Sequence, residues 1–353
     1  MFIRVWLMLF WAALPAMAWG QPAADIEKAL SETPPSIPPT MARQAALKQL
    51  DTFIARPDSE SSPELIAYYQ GAVDRAIKTL QKESPKEGVR IFQLYSSSVI
   101  VQSPTCIFAF DLDQGPNKNL FQTPEEEGVA FRMTDAQIAA LADLIGYSFH
   151  THEHSDHIDY EITRALLDRG KTIVTTESAK KIWEKEPWSE KIVTLNQTLG
   201  RGERLGDLEV NVLWDHQWGN AAHTSGTPCH AFVITLPDGI TIATKGDINC
   251  GLQLYGWLHL LAENKRHIDV FCGSTIYWKG VSVTQQIDAL FSPIWLPGHN
   301  WEFEHRPAGE ARGNASLYTS SLLTVAPAVQ RGDAVILSWG AYLDIPKSRK
   351  AEK

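Results

Sequence analysis

Nine consecutive residues, Phe149-His-Thr-His-Glu-His-Ser-Asp-His157, constrain this chain more than any other stretch. A short apolar strand ending near His150 runs here into a tight polar turn. Alternate residues of an extended segment point the same way, so His152 and His154 are expected to converge on one point. Asp156 and His157 lie beyond the turn and face a second point close by. Imidazole nitrogens and carboxylate oxygens about 2.0–2.2 Å from a cation are what zinc requires. An exposed polar loop would be the bland reading, but it does not explain a spacing that divides donors between two metal ions.

Residues 1–20 read as an export signal. Arg4 is their one charge, and the run from Val5 to Ala18 is almost wholly apolar. That run is shorter than the roughly 20 residues a membrane-spanning helix needs. Small residues at Ala16, Ala18 and Gly20 suit cleavage before Trp19 or Gln21. The mature chain is therefore expected to be periplasmic or secreted, with no membrane span. A formal charge of -9 opposes binding to phosphate backbones, so no nucleic-acid partner is expected. The four cysteines, Cys106, Cys229, Cys250 and Cys272, show no C-x-x-C spacing. Their disulfide state stays open.

Residues 21–88 read as a linker and helical extension. Pro34, Pro35, Pro38 and Pro39 mark an extended arm up to about residue 40. Helical periodicity then covers Met41–Ala55 and Pro63–Lys82, with Ser62 as N-cap and Pro63 in the first turn. From about Val89 the pattern changes to interleaved strands and helices, which implies an α/β layered core. Strands are expected at Ile91–Tyr95, Ser98–Gln102, Cys106–Asp111, Ile145–His150, Thr172–Thr175, Leu208–Asp215, His230–Leu236, Ile240–Thr244, Val270–Cys272, Ile294–Leu296 and Ala334–Trp339. A helix beginning after Thr134 carries Gln137 at the capping-box position. Residues 346–353 form a polar tail.

The H-x-H-x-D-H pattern of His152, His154, Asp156 and His157 resembles the signature of the metallo-β-lactamase superfamily, over roughly residues 89–345. The resemblance implies an αββα sandwich, here with an N-terminal helical extension, and a dinuclear site at the edge of two sheets. It also implies three later ligands. Asp247 closes Ile-Thr-Ile-Ala-Thr-Lys-Gly-Asp, similar to the family's strand ending in Gly-Asp, and would bridge two dications that otherwise repel. His299 follows Pro293-Ile-Trp-Leu-Pro-Gly, with His305 a weaker competitor. The middle histidine is His216, which ends a strand, or His223, which opens His-Thr-Ser-Gly-Thr; the other would line the pocket. His230 is a third choice. In this scheme His152, His154 and His216 hold one ion, Asp156, His157 and His299 the other.

The implied chemistry is hydrolysis by a metal-bound hydroxide, with Asp156 also orienting the nucleophile or taking its proton. Zinc is the expected metal, two ions, with iron or manganese as substitutes. The expected partner is a small-molecule substrate, an ester, lactone, thioester or phosphodiester. β-Lactam hydrolysis is less favoured, because neither Cys229 nor Cys250 falls at the position of Asp247. A mono-iron sulfur dioxygenase is a second enzymatic reading, and a metal-binding protein without catalysis a third. Trp214, Trp218, Trp257, Tyr277, Trp278, Trp301 and Phe303 fall near the loops expected to rim the site. Tyr277 and Trp301 are candidate substrate contacts.

Overall fold

Alternation along the strands builds two separate apolar layers. The computed structural model describes residues 23–56, 61–82, 84–116, 131–217, 226–248, 251–263, 267–273, 281–291, 293–301, 303 and 318–347. Three helices come first: α1 (Ala23–Glu32), α2 (Met41–Ile54) and α3 (Pro63–Leu80). Then follow β1 (Val89–Gln93), β2 (Val99–Gln102), β3 (Ile107–Phe110), α4 (Asp135–Leu144), β4 (Tyr147–Phe149), α5 (Tyr160–Asp168), β5 (Thr172–Val174) and α6 (Glu177–Ile182). The second half holds β6 (Glu203–Leu205), β7 (Leu208–Gln217), β8 (Thr227–Thr235), β9 (Thr241–Thr244) and α7 (Gly251–Glu263). It ends with β10 (Val270–Cys272), α8 (Val283–Ala289), β11 (Ile294–Leu296), α9 (Tyr318–Arg331) and β12 (Tyr342–Ile345).

Two six-stranded sheets result, in the orders β12-β1-β2-β3-β4-β5 and β11-β10-β9-β8-β7-β6. Each has the same plan. Three antiparallel pairings are followed by two parallel ones, β3–β4–β5 in the first sheet and β9–β10–β11 in the second. Val101, Phe108, Phe110, Phe149, Val210, Val212, Phe232 and Ile242 form the layer between the sheets. Residues of opposite parity, such as Leu213, Ala231, Ala243 and Phe271, join the helices in the outer layers. This is the expected αββα sandwich.

The helical extension is packed on that sandwich. Tyr69 donates to the Gln114 carbonyl at 3.0 Å, Arg43 donates to Ser338 Oγ at 3.1 Å, and Trp339 lies within 5.2 Å of the Tyr69 ring. The capping box at Thr134 and Gln137 is present as expected. Among the described residues, no helix is long and apolar enough to cross a membrane. Cys106, Cys229 and Cys272 are free thiols, and Cys250 lies outside the described residues.

Two expectations need correction. The arm expected from residue 21 contains α1, because Ile26 and Leu30, one turn apart, bury themselves on the core. The strand expected at Ala334–Trp339 is an irregular buried segment with one bridge, between Ala334 and Trp295; the last strand is β12. The apolar run there is core filling, which continuous hydrophobicity does not distinguish from a strand.

Candidate metal centre

The parallel ends of both sheets deliver their carboxyl-terminal loops to one place. β4 ends at Phe149, and His150 N donates to the Val174 carbonyl at 2.8 Å. The chain then turns: His157 N and Ile158 N both donate to the His154 carbonyl, at 2.9 and 3.1 Å. Asp159 caps the following helix by accepting from Ile162 N at 2.8 Å. The segment is thus coiled where extended geometry was expected. His230 N ties the turn to the second sheet through the Thr151 carbonyl at 2.8 Å.

Two donor groups form here. His152, His157 and Asp247 make one, and Asp156, His157 and His299 the other, each with its ligand atoms within 4.8 Å of one another. Asp247 reaches into both, since its Oδ1 lies 2.7 Å from His299 Nε2 and its Oδ2 3.7 Å from His157 Nε2. Asp156 Oδ2 sits 3.3 Å from His157 Nε2 and 3.5 Å from His299 Nδ1. His154 is half-buried, its ring 4.6 Å from that of His152 and its Nε2 3.4 Å from Thr227 Oγ1. It lies beside the first group without entering it. His150 faces the other way: Nδ1 bonds the His157 carbonyl at 2.8 Å and Nε2 meets Ser148 Oγ.

Residues that the sequence reading overlooked hold these donors. Asp111, just past β3, accepts from Thr151 N at 2.7 Å, from Thr151 Oγ1 at 3.0 Å and from His157 Nδ1 at 2.9 Å. Its φ of 45° is in the left-handed region, as are those of His299 at 56° and Trp301 at 62°. Non-glycine residues take that conformation at a cost, so the surrounding bonds fix these loops. Gln217 Nε2 donates to Asp247 Oδ2 at 2.7 Å. The buried Lys245 ammonium donates to the carbonyls of Gly246 and Ile248, at 3.0 and 3.2 Å, and so braces the loop that carries Asp247. Gly246, at φ 51°, is required: a Cβ there would lie 2.5 Å from Thr151 and 2.9 Å from Cys229 Sγ.

His216, one of the two candidates for the middle histidine, stands apart from the donor groups. On β7, His216 has the parity of Val212 in the inter-sheet layer, whereas Asp215 and Gln217 have that of Leu213. Gln217 reaches Asp247, so His216 is turned to the opposite face of the strand and joins neither donor group. His223 lies outside the described residues, as do Trp218, Tyr277, Trp278 and His305. His230 also takes the inter-sheet face, stacked on Trp214 with centroids 5.7 Å apart.

The aromatic rim needs a similar correction. Trp301 is fully buried, donates from Nε1 to the Leu337 carbonyl at 2.6 Å, and accepts from Trp339 Nε1 at 3.1 Å. It is a core anchor with no face open to a substrate. Trp257 and Phe303 are buried too, while Trp214 is 44% exposed.

The donors fit a cation. Among the described residues, His152 Nε2 and His157 Nε2 are buried with no hydrogen-bond partner, a condition native proteins rarely leave unanswered. Imidazoles and carboxylates meeting at such atoms are the donor types of zinc and its neighbours. Burial holds His152 well below the usual imidazole pKa, and the positive His157 adds to this, so its ring is neutral and ready to coordinate. Burial alone would lower His157 as well, but the carboxylates of Asp156, Asp111 and Asp247 outweigh it and raise that ring well above its usual value. Burial acts to raise Asp247, yet His299 and His157 hold it well below the usual carboxylate range. A field that favours a proton at this point favours a metal cation in its place.

No family model matches the chain, and no curated protein matches it in sequence. Among solved structures, isothiocyanate hydrolase from Delia radicum gut bacteria aligns with a TM-score of 0.51 at 14% identity, over 73% of this chain and 100% of that one. A possible metal-dependent hydrolase from Veillonella parvula aligns with the same TM-score of 0.51 at 11% identity, over 73% of this chain and 100% of that one. YhfI of Bacillus subtilis, a metallo-β-lactamase fold protein, aligns more loosely, with a TM-score of 0.44 at 11% identity, over 74% of this chain and 100% of that one.

Proposed function

We propose that this chain, which has the metallo-β-lactamase fold, is an exported dinuclear metal-dependent hydrolase of a small ester, lactone, thioester or phosphodiester. The observation that carries the reading is the pair of donor groups sharing His157, with Asp247 reaching both. His152 and Asp247 would hold one ion beside His154, and Asp156, His157 and His299 the other. With His216 turned away, His223 is the remaining histidine candidate for the first ion. The second group is what favours two ions over a mono-iron centre.

Bound divalent ions would supply Lewis acidity, acidifying a water and polarising the carbonyl or phosphoryl oxygen of the substrate. The protein's own part is orientation and proton handling. Asp111 accepts from His157 Nδ1 and thereby commits Nε2 to the donor groups. Asp156, beside His157 and His299, would orient the attacking water and accept its proton. Thr227 and the half-buried His154 lie in contact beside the cluster, where they would meet a substrate.

The test is metal analysis and activity on one sample. Purified protein is expected to carry close to two ions per chain and to hydrolyse at least one member of a lactone, thioester, phosphodiester, isothiocyanate and β-lactam panel. Asp156→Ala should abolish that turnover while the circular dichroism spectrum stays unchanged. Full activity in the variant, or a chain that binds no divalent metal, would defeat the reading. Export is checked separately, by N-terminal sequencing of the protein recovered outside the cytoplasm, which should begin at Trp19 or Gln21.

A further inference from the structure

Gln217 closes β7 opposite Thr227, with its side chain on the face that meets the donor groups and only 4% of the residue exposed. Its Nε2 donates to Asp247 Oδ2 at 2.7 Å. A carboxamide carries its donor and its acceptor on one planar group. Once the N–H faces the carboxylate, Oε1 is committed to another direction and can act only as an acceptor. That oxygen is buried and has no hydrogen-bond partner among the described residues. The same condition holds at His152 Nε2 and His157 Nε2, the imidazole nitrogens already read as metal donors. Three unanswered polar atoms therefore belong to side chains of one small cluster, two of them to the group that contains Asp247 and the third to the side chain bonded to it.

We propose that Gln217 is itself part of the metal centre: its N–H fixes Asp247, and its Oε1 is a neutral oxygen donor to the cation held by His152 and Asp247. The proposal rests on the metallo-hydrolase reading. It places an oxygen at the end of β7, one residue past the position where a histidine was expected. The exchange has a chemical consequence. Imidazole suits zinc, whereas a carbonyl-type oxygen suits manganese and other hard divalent ions. A centre with Gln217 in its donor set should discriminate less strongly for zinc than one completed by a further imidazole.

The test uses chelator-stripped full-length protein titrated separately with Mn²⁺ and Zn²⁺, with affinity read by calorimetry and stoichiometry by elemental analysis. Gln217→Leu removes both amide functions and should weaken Mn²⁺ binding about 100-fold, the upper range for loss of a metal-site partner. Gln217→Glu keeps an oxygen and loses the N–H, and should stay within about tenfold of the wild type. Gln217→His should shift the preference toward Zn²⁺. Thermal unfolding in chelator, identical across the set, confirms that the variants fold. Wild-type Mn²⁺ affinity in Gln217→Leu would overturn the proposal. So would equal losses in Gln217→Glu and Gln217→Leu, which would reduce Gln217 to a clamp on Asp247. A wild-type chain that binds neither ion would instead defeat the metallo-hydrolase reading beneath it.

Discussion

His157 Nδ1 and Asp111 Oδ2 lie 2.9 Å apart, both buried, in a contact between the loop after β4 and the residue just past β3. Because β3 and β4 are parallel neighbours, their carboxyl ends are side by side, and the carboxylate meets the ring without any excursion of the chain. The bond keeps the Nδ1 proton facing Asp111, so Nε2 is the nitrogen that would exchange its proton for a bound cation.

Asp111→Asn tests that contact. The amide keeps one acceptor but sets an N–H donor beside a ring nitrogen that also donates, so the ring is expected to turn. Metal affinity should fall by about 10- to 100-fold. Metal retained per chain after dialysis against a weak chelator measures this, and retention equal to the wild type would remove Asp111 from the centre.

The two histidines proposed for the middle position separate by the same measurement. His216→Ala should leave the metal content close to the wild type, because His216 is on the inter-sheet face of β7. His223→Ala should lower it more than His216→Ala does. The opposite ranking would mean that β7 is read in the wrong register.

His230 predicts how stability responds to acid. Burial pulls its pKa from 6.5 down to about 3, and its Nδ1 is buried without a partner. An unfolded chain takes up this proton near pH 6.5, so between pH 6.5 and 3 the unfolded state binds more protons than the native one. Native stability is therefore whole above pH 6.5 and declines as the pH falls toward 3. Each unit of that window is worth about 1.4 kcal/mol. His230→Phe keeps the stack on Trp214 and removes the titration. Urea midpoints at pH 7 and pH 4 should lie closer together in the variant, and an unchanged separation would assign the acid sensitivity to other groups.

Gly246→Ala should be among the most destabilising single changes. The added methyl would meet Thr151 and Cys229 at 2.5–2.9 Å, at a backbone angle that alanine resists. Overpacking and backbone strain together predict a loss of about 2–5 kcal/mol. Denaturant melts with an unchanged slope would measure it, and a loss below about 1 kcal/mol would mean that the two loops can separate cheaply.

Local signals were the readable part of this sequence. The His150–His157 turn, the strand ending at Asp247 and the Thr134 cap each depend on neighbours within a few residues, and pattern reasoning located them. The direction of His216 was also readable in principle. Val210 and Val212 are core residues of β7, so a residue of the same parity had to share their face. The strand end had drawn attention to position 216, and parity favours 217. Asp111 and Gln217 were illegible for a different reason. Their roles depend on which strands become neighbours, and nothing near them in sequence records that β3 lies beside β4 or that β7 ends near the loop after β9. Trp301 was misjudged because nearness along the chain to His299 says nothing about which side of the backbone faces solvent.

The two sheets share one strand plan, and the donors are divided between them. His152, Asp156 and His157 follow β4 of the first sheet, while Asp247 and His299 follow β9 and β11 of the second. Neither half of the chain can grip an ion tightly alone, so loading must wait until the sandwich has closed. An ion seated there is then a cross-link between the halves, and its free concentration sets how firmly they are stapled. The metal supply around the chain would then govern its lifetime as well as its chemistry.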